Sequence, residues 1–452
     1  MQFKQFRLFF FLSIIIFLSS CLGTNTPTAV SSDASFVSLT FANNDSIPYL
    51  NSAKFTLDTD GKTIVNLDSL PFKTRIDSVY PTFSFKSSGG AKLYFPPGYK
   101  YKKDSAGISG KDTVDFSQPV PVRVRNFASD AKTYKDYFIK VNVHKVDPEL
   151  YIWSKITDNL NSVNAVSQKT VILNDKFFYY LNDGANSYLY NSTDGYTWTS
   201  ATVSGLKPNA PLGSLIQFNG KLYLTQDGDK IYSTSDGSNW TSNSFTSADY
   251  TFKSIMFGLN DSLRAVTQSK IDQIYRFASS KDGLTWIIRK NNIVPDNFPI
   301  SDFASITFST VTGKAKGLIL GGYSVTGSFL KNNWSTEDGA YWIDFSTENN
   351  TLIALIGGSL IRYDNKLLLF GQVDYTFTSN KTYYKVSKDE GLSWDTPDTI
   401  RNVIPKSFPV RNYQSVVVDK NNRIFIIGGK SGSTSLSDVW TGKLNRKSFI
   451  RQ

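Results

Sequence analysis

The sequence predicts an all-β protein, a small N-terminal sandwich followed by a closed ring of four-stranded sheets. Three observations predict it. The 452 residues fall, beyond a short apolar leader, into brief β-type runs bounded by Gly, Asn, Asp, Ser and Pro, with no helical period. A turn of the form Ser/Thr-x-Asp-Gly-x-x-Trp recurs along the C-terminal two thirds and ends at Trp198, Trp240, Trp286, Trp342 and Trp394. Successive tryptophans lie 42 to 56 residues apart, the period of a propeller blade.

The leader comes first. Lys4 and Arg7 precede LFFFLSIIIFL, an apolar run too short to span a bilayer, and residues 1–20 therefore read as a secretory signal peptide. The next stretch, Leu18-Ser19-Ser20-Cys21, resembles the lipobox of bacterial lipoproteins. That resemblance implies cleavage before Cys21 and acylation of its thiol and new amino group. Several acyl chains together anchor a protein to a membrane without spanning it. Cys21 is the only cysteine, which excludes disulfides and cysteine-based metal sites from the folded body. Residues 21–34 are Ser/Thr-rich and form a flexible tether. Leu22 stands where lipoproteins held at the inner membrane carry aspartate, so the expectation is an outer-membrane anchor, with the periplasmic and surface faces both open.

Residues 35–147 read as seven strands: FVSLTFA, SAKFTLD, TIVNL, PTFSF, AKLYF, PVRVRN and YFIKVNV. Seven strands in this length fit an immunoglobulin-like sandwich. Alternation along the last strand places His144 with Lys140 and Asn142 on a solvent face. The Asp-Gly stretch LDTDGKT fails as a calcium loop, because Ser69 stands where the bidentate Glu belongs.

Residues 148–452 form the ring. Six first strands (KTVILN, GSLIQFN, KSIMFGLN, ASITFST, GSLIRYDN, QSVVVDKN) each lead through a tight turn into a second strand. Only five Asp-Gly turns follow, at Asp194-Gly195, Asp236-Gly237, Asp282-Gly283, Asp338-Gly339 and Asp389 with Gly391. The sixth unit stops at a third strand. YIWSKIT, with Trp153 at the tryptophan position, supplies the missing fourth, since a ring closes its exposed edges by pairing them. The prediction is a six-bladed β-propeller closed by Tyr151–Thr157 in the last blade.

The Asp-Gly turns resemble the Asp-boxes of sialidases, and FPVRNYQS, IFIIGGKSG and SDVW in the last unit resemble a kelch repeat. As a whole the chain resembles uncharacterised Bacteroidota-type lipoproteins that join an Ig-like module to a kelch/Asp-box propeller. The resemblance implies architecture and compartment, and no established activity. A group repeated in every blade is structural: the aspartate ties the hairpin, the glycine adopts positive φ, and the tryptophan fills the space between blades. The triplets beginning at Asp45, Asp68, Asp77, Asp112, Asp261 and Asp398 resemble an O-glycosylation sequon of such bacteria; ordinary turns produce the same triplets.

The propeller segment has no His and no Cys, so Ser-His-Asp and Cys-His catalysis and the usual zinc sites are excluded there. No metal and no cofactor is expected. A carboxylate-based carbohydrate-active enzyme is the alternative reading, weakened because the Arg-Ile-Pro stretch of sialidases is absent and the first blade has no arginine. The formal charge is +11, with basic residues scattered rather than striped, which points away from nucleic acid. A solvated basic surface is the plainer reading, and acidic glycans or lipid head groups are the electrostatic partners it would suit. The expected function is non-catalytic binding of a glycan or an envelope protein, or a scaffold. The long loops of the last three blades offer Tyr323, Tyr375, Phe377, Arg411 and Tyr413 as ligand contacts, aromatics for sugar faces and a guanidinium for acidic groups.

Overall fold

A computed structural model describes residues 30–44, 47, 49–99, 105–107, 113–226, 228–244, 248–346, 352–372 and 382–446. Two compact units divide the chain, one reaching to Pro148 and the other spanning Glu149–Asn445. Among the described residues the regular structure is almost wholly strand.

In the N-terminal unit, Phe36–Phe41 pairs with Pro81–Phe85. A six-stranded sheet runs in the order Phe55–Leu57, Thr63–Asn66, Tyr134–Lys140, Val122–Phe127, Gly90–Tyr94, Ser105–Gly107. The 63–66 and 134–140 strands pair in parallel. Both sheets feed one core that includes Leu39, Phe41, Ile64, Val122, Val124 and Ile139. Strand alternation accounts for this: Val122 and Val124 turn inward while Arg123 and Arg125 turn outward. Arg125 makes two 2.8 Å hydrogen bonds to Asp136 on the neighbouring strand.

His144 corrects the sequence expectation, because it is 4% exposed rather than on a solvent face. The last strand ends at Lys140, and the chain then continues as a single parallel bridge between Val143 and Leu70. Outside a ladder the two-residue alternation no longer dictates which side chains meet water. Ser105–Gly107 adds a strand that the sequence reading lacked.

The C-terminal unit is a succession of antiparallel sheets. Four have four strands, with first strands Ser167–Leu173, Ile216–Phe218, Tyr250–Leu259 and Ala304–Ser309. They are consecutive in the first three, whereas in the fourth Tyr323–Ser324 intervenes and pairs with Pro299–Ser301 in a small two-stranded sheet. The fifth sheet holds Ser359–Tyr363, Lys366–Gln372 and Thr382–Ser387. Where the sequence predicts a fourth strand after Trp394, only a bridge between Val386 and Asp395 forms. Pro397 lies two residues on and has no N–H to extend a ladder. The sixth sheet orders Ser415–Val418, Ile424–Ser431, Thr434–Leu444 and then Tyr151–Thr157, the last joined antiparallel through pairs such as Gly442 with Trp153.

First and second strands are joined by tight turns with two left-handed residues where the sequence has Asn174-Asp175, Asn219-Gly220 and Asp364-Asn365. Such turns match the twist of the flanking strands. Between sheets lie separate apolar clusters. Phe178 and Tyr180 of the first sheet share one with Leu222 and Leu224 of the second, and Ile361 and Leu368 of the fifth share another with Ile424 and Ile426 of the sixth. The cluster of Phe177, Tyr179 and Leu181 with Phe425, Ile427 and Val439 joins the first sheet to the sixth.

Candidate functional site

Each Asp-Gly turn is built the same way. In the first sheet, Ser192 Oγ donates to Asp194 Oδ1 at 3.0 Å and accepts the Gly195 N–H at 2.8 Å. Asp194 Oδ1 also accepts the N–H groups of Tyr196 and Thr197, both at 2.8 Å. Thr234/Asp236, Ser280/Asp282, Thr336/Asp338 and Ser387/Asp389 repeat the hydroxyl–carboxylate contact. These donors stabilise the carboxylate form. The Thr285 and Leu284 N–H groups bring Asp282 down to about 2, and the Asn239 backbone and side chain hold Asp236 well below the usual range.

The glycines face the preceding sheet. A Cβ on Gly195, Gly237 or Gly283 would overlap the ring of Phe425, Phe178 or Tyr223, and on Gly339 it would meet Arg264. A Cβ on Gly391 would approach Leu318. Trp240, Trp286 and Trp394 are buried in the clusters between sheets, and Trp198, Trp342 and Trp153 pack partly buried against three others. The hydroxyl and carboxylate of this repeated turn fix the turn itself, while its glycine and tryptophan pack one sheet against the next.

Aligned at their hydroxyl residue, the starts of the six first strands and the residues leading into them read Lys169-Thr170, Gly213-Ser214, Lys253-Ser254, Ala304-Ser305, Gly358-Ser359 and Gln414-Ser415. The hydroxyls stitch strands together. Ser415 Oγ accepts the Thr170 N–H at 2.7 Å, Ser359 Oγ donates to Gln414 O at 2.5 Å, and Ser305 Oγ donates to Met256 O at 2.9 Å. All six strands line one cavity of about 630 Å³, within the range of small-molecule sites.

The cavity wall carries Lys169, Lys253 and Lys430 against one carboxylate, Asp302. Lys430 Nζ donates to Val166 O at 2.8 Å and lies 5.9 Å from the centre of the Tyr413 ring. Lys253 is exposed, with its ammonium 6.0 Å from the Tyr275 ring centre. Lys169 is half-buried and has no hydrogen-bond or ion-pair partner among the described residues. Desolvation within the surrounding protein lowers its pKa from the ordinary lysine value.

The sequence-selected loop residues separate. Tyr413 lines the cavity in a left-handed conformation, φ 55°, where a bulky residue is strained. Its N–H donates to Gly357 O at 2.7 Å, and the paired backbones of Asn412 and Lys430 hold the adjoining residue. Tyr323 is half-buried instead against Phe329, ring centres 4.9 Å apart, and is not part of the cavity wall. Tyr375, Phe377 and Cys21 lie outside the described residues.

Arg411 is a correction. Rather than offering a guanidinium to a ligand, it is 1% exposed. It bonds Asp438 through two contacts of 2.5 and 2.7 Å and donates to Gly428 O at 2.8 Å. Asp438 also accepts the Trp440 indole N–H at 2.7 Å. The SDVW stretch thus buries the arginine it accompanies.

Sequence reasoning missed Lys169 and Lys253. Their signal is present in the aligned first strands, where two lysines occupy one repeated position filled elsewhere by Gly213, Ala304, Gly358 and Gln414. Among the described residues no group of three or more His, Cys, Asp or Glu side chains is placed to hold a metal ion.

Sheets packed face to face around a strand-lined cavity define a β-propeller. The chain belongs to the DUF6242 family: residues 147–452 match the DUF6242 beta propeller domain, and residues 26–141 match the DUF6242 N-terminal domain, a domain of unknown function. No curated protein matches the chain. Among solved structures it is similar to YjhT, at 15% identity and TM-score 0.42 over 63% of this chain and 96% of that one. It is also similar to an alpha-L-arabinanase of Penicillium chrysogenum complexed with arabinobiose, at 11% identity and TM-score 0.40 over 66% and 98%. YCF48 bound to D1 peptide matches at 14% identity and TM-score 0.38 over 64% and 95%. An arabinanase and a peptide-bound protein stand here side by side, and they decide nothing about activity.

Proposed function

We propose that this is a lipid-anchored cell-envelope protein of Bacteroidota type, whose Ig-like N-terminal module carries a six-bladed kelch/Asp-box propeller that binds a glycan or an envelope protein without transforming it. The observation that carries the binding reading is the cavity wall: three lysines, one aspartate and a strained tyrosine line a space of small-molecule size. Strain of this kind persists where surrounding structure holds it, and it concentrates at ligand sites. The carboxylate-enzyme reading needs two acidic groups across a scissile bond, and Asp302 is the single carboxylate among the described wall residues.

Outer-membrane anchorage rests on the lipobox-like stretch ending in Cys21. A Cys21→Ser variant moves from the membrane fraction to the soluble one; retention in the membrane sinks the anchor. For the propeller, a screen of the full chain against envelope glycans and envelope proteins tests binding, with turnover assays on each hit. A hit consumed at a catalytic rate overturns the non-catalytic reading.

A further inference from the structure

Among the described residues the cavity wall carries three lysines and one carboxylate, Asp302, and the Lys169 ammonium has no ion-pair partner. Lys169 and Lys253 occupy the same position of two first strands, and their counterparts on three of the other four are Gly213, Ala304 and Gly358. A Cβ on Gly213 would meet nothing within 4 Å, whereas Ala304 is buried in an apolar cluster and a Cβ on Gly358 would meet Leu355. Lys430 adds a third amine, already bonded to Val166 O. An ammonium enclosed by protein without a counter-charge is costly, and an anion brought by a ligand removes that cost. Strength of interaction rises where water is displaced.

The remaining wall mixes aliphatic side chains with hydroxyls, and it carries an exposed amide at Gln217 and partly exposed aromatic rings at Tyr413 and Phe303. Amides and hydroxyls bind sugar hydroxyls, and an aromatic face packs on the C–H face of a sugar ring. We infer that the cavity is an acidic-saccharide site, in which Lys169 and Lys253 receive a sugar carboxylate while Tyr413 lies against a ring face. This rests on the binding reading above and names its ligand class.

The test is calorimetry on the full chain in detergent with three probes: trigalacturonate, its uncharged methyl ester, and a hexa-aspartate peptide. Trigalacturonate is expected to bind at least about tenfold tighter than the ester, and Lys169→Met and Lys253→Met are each expected to weaken it by about tenfold. Binding should also weaken with added salt. Lys169→Met should melt at or above the wild-type temperature, since it removes an unpaired ammonium.

Amine acetylation read by mass spectrometry tests the wild-type chain without mutation, with trigalacturonate expected to protect Lys169 and Lys253. Equal binding of acid and ester, with neither lysine protected, overturns the cationic site while leaving glycan binding intact. Hexa-aspartate binding as tightly as trigalacturonate overturns the saccharide assignment. No binding by any probe overturns the inference, whereas the broader binding function fails only if the envelope screen is also empty.

Discussion

Arg411 and Asp438 are 1% and 7% exposed at the side chain, and their bidentate contact is completed by Gly428 O and the Trp440 indole. Arg411 also lies 4.3 Å above the Phe408 ring. A buried pair of this kind contributes little over an apolar pair, but losing one partner strands the other charge. Asp438→Asn is therefore expected to cost about 3–5 kcal/mol in denaturant unfolding. The double variant Arg411→Met with Asp438→Leu should recover most of that loss. If the single variant unfolds like wild type, the pair is not structural. Asp282 makes the complementary case on the surface. Its folded pKa is about 2, lowered from 3.8 by the Thr285 and Leu284 N–H groups. Its contribution is thus fully present above 3.8 and disappears as the pH falls towards 2. Thermal melts of Asp282→Ala should differ from wild type at neutral pH and converge with it near pH 2; a constant gap would refute the linkage.

At the scale of elements, the turn and the strand beneath it act as one joint. Gly195 has φ +76°, and a Cβ there would overlap the Phe425 ring on the second strand of the sixth sheet. Phe425 is fully buried and cannot swing into water. Gly195→Ala should cost about 1–3 kcal/mol through overpacking, added to the left-handed backbone cost of alanine, and it loosens the contact between first and sixth sheets. A melting temperature unchanged from wild type would show that the turn is not clamped by its neighbour. The fifth sheet shows the opposite economy: its Asp-Gly turn packs on Leu318 of the fourth sheet, yet its fourth strand shrinks to one bridge beside Pro397. That sheet shares apolar clusters with the sheets on both sides, so its packing does not depend on the length of its last ladder.

At the scale of the molecule, one strand decides whether the propeller has edges. Tyr151–Thr157 is hydrogen-bonded along Thr434–Leu444, and Trp153 packs against the cluster between fifth and sixth sheets. Its removal leaves the final strand of the sixth sheet unpaired and uncovers that cluster. Deleting residues 148–158 is expected to abolish cooperative folding, seen as loss of a single thermal transition and rapid proteolysis of the whole propeller segment. A truncated chain that still melts in one sharp step would overturn this dependence. Closure matters for the site as well, since its wall takes residues from the first strand of every sheet.

The repeat, the first-to-second-to-third strand order within the propeller sheets and the pairing of Tyr151–Thr157 into the last one were legible in the sequence, whereas the three-stranded fifth sheet and the order of the N-terminal sheets were not. The legible features rest on local chemistry: alternation along strands, Asn/Asp/Gly turns, and a glycine that leaves room for a neighbour's ring. The aromatic Tyr413 could be read from its loop, but Arg411 could not, because its partner Asp438 lies 27 positions away and only the folded loop buries the pair. His144 escaped the two-residue alternation for the same reason, its N–H donating to Leu70 O across the unit. Lys169 and Lys253 look like ordinary strand lysines until the sheets close, since 84 residues separate them along the chain. Patterns within a segment determine which strands form, while the burial of a charge and the meeting of distant amines at one cavity depend on where the whole ring brings its strands together.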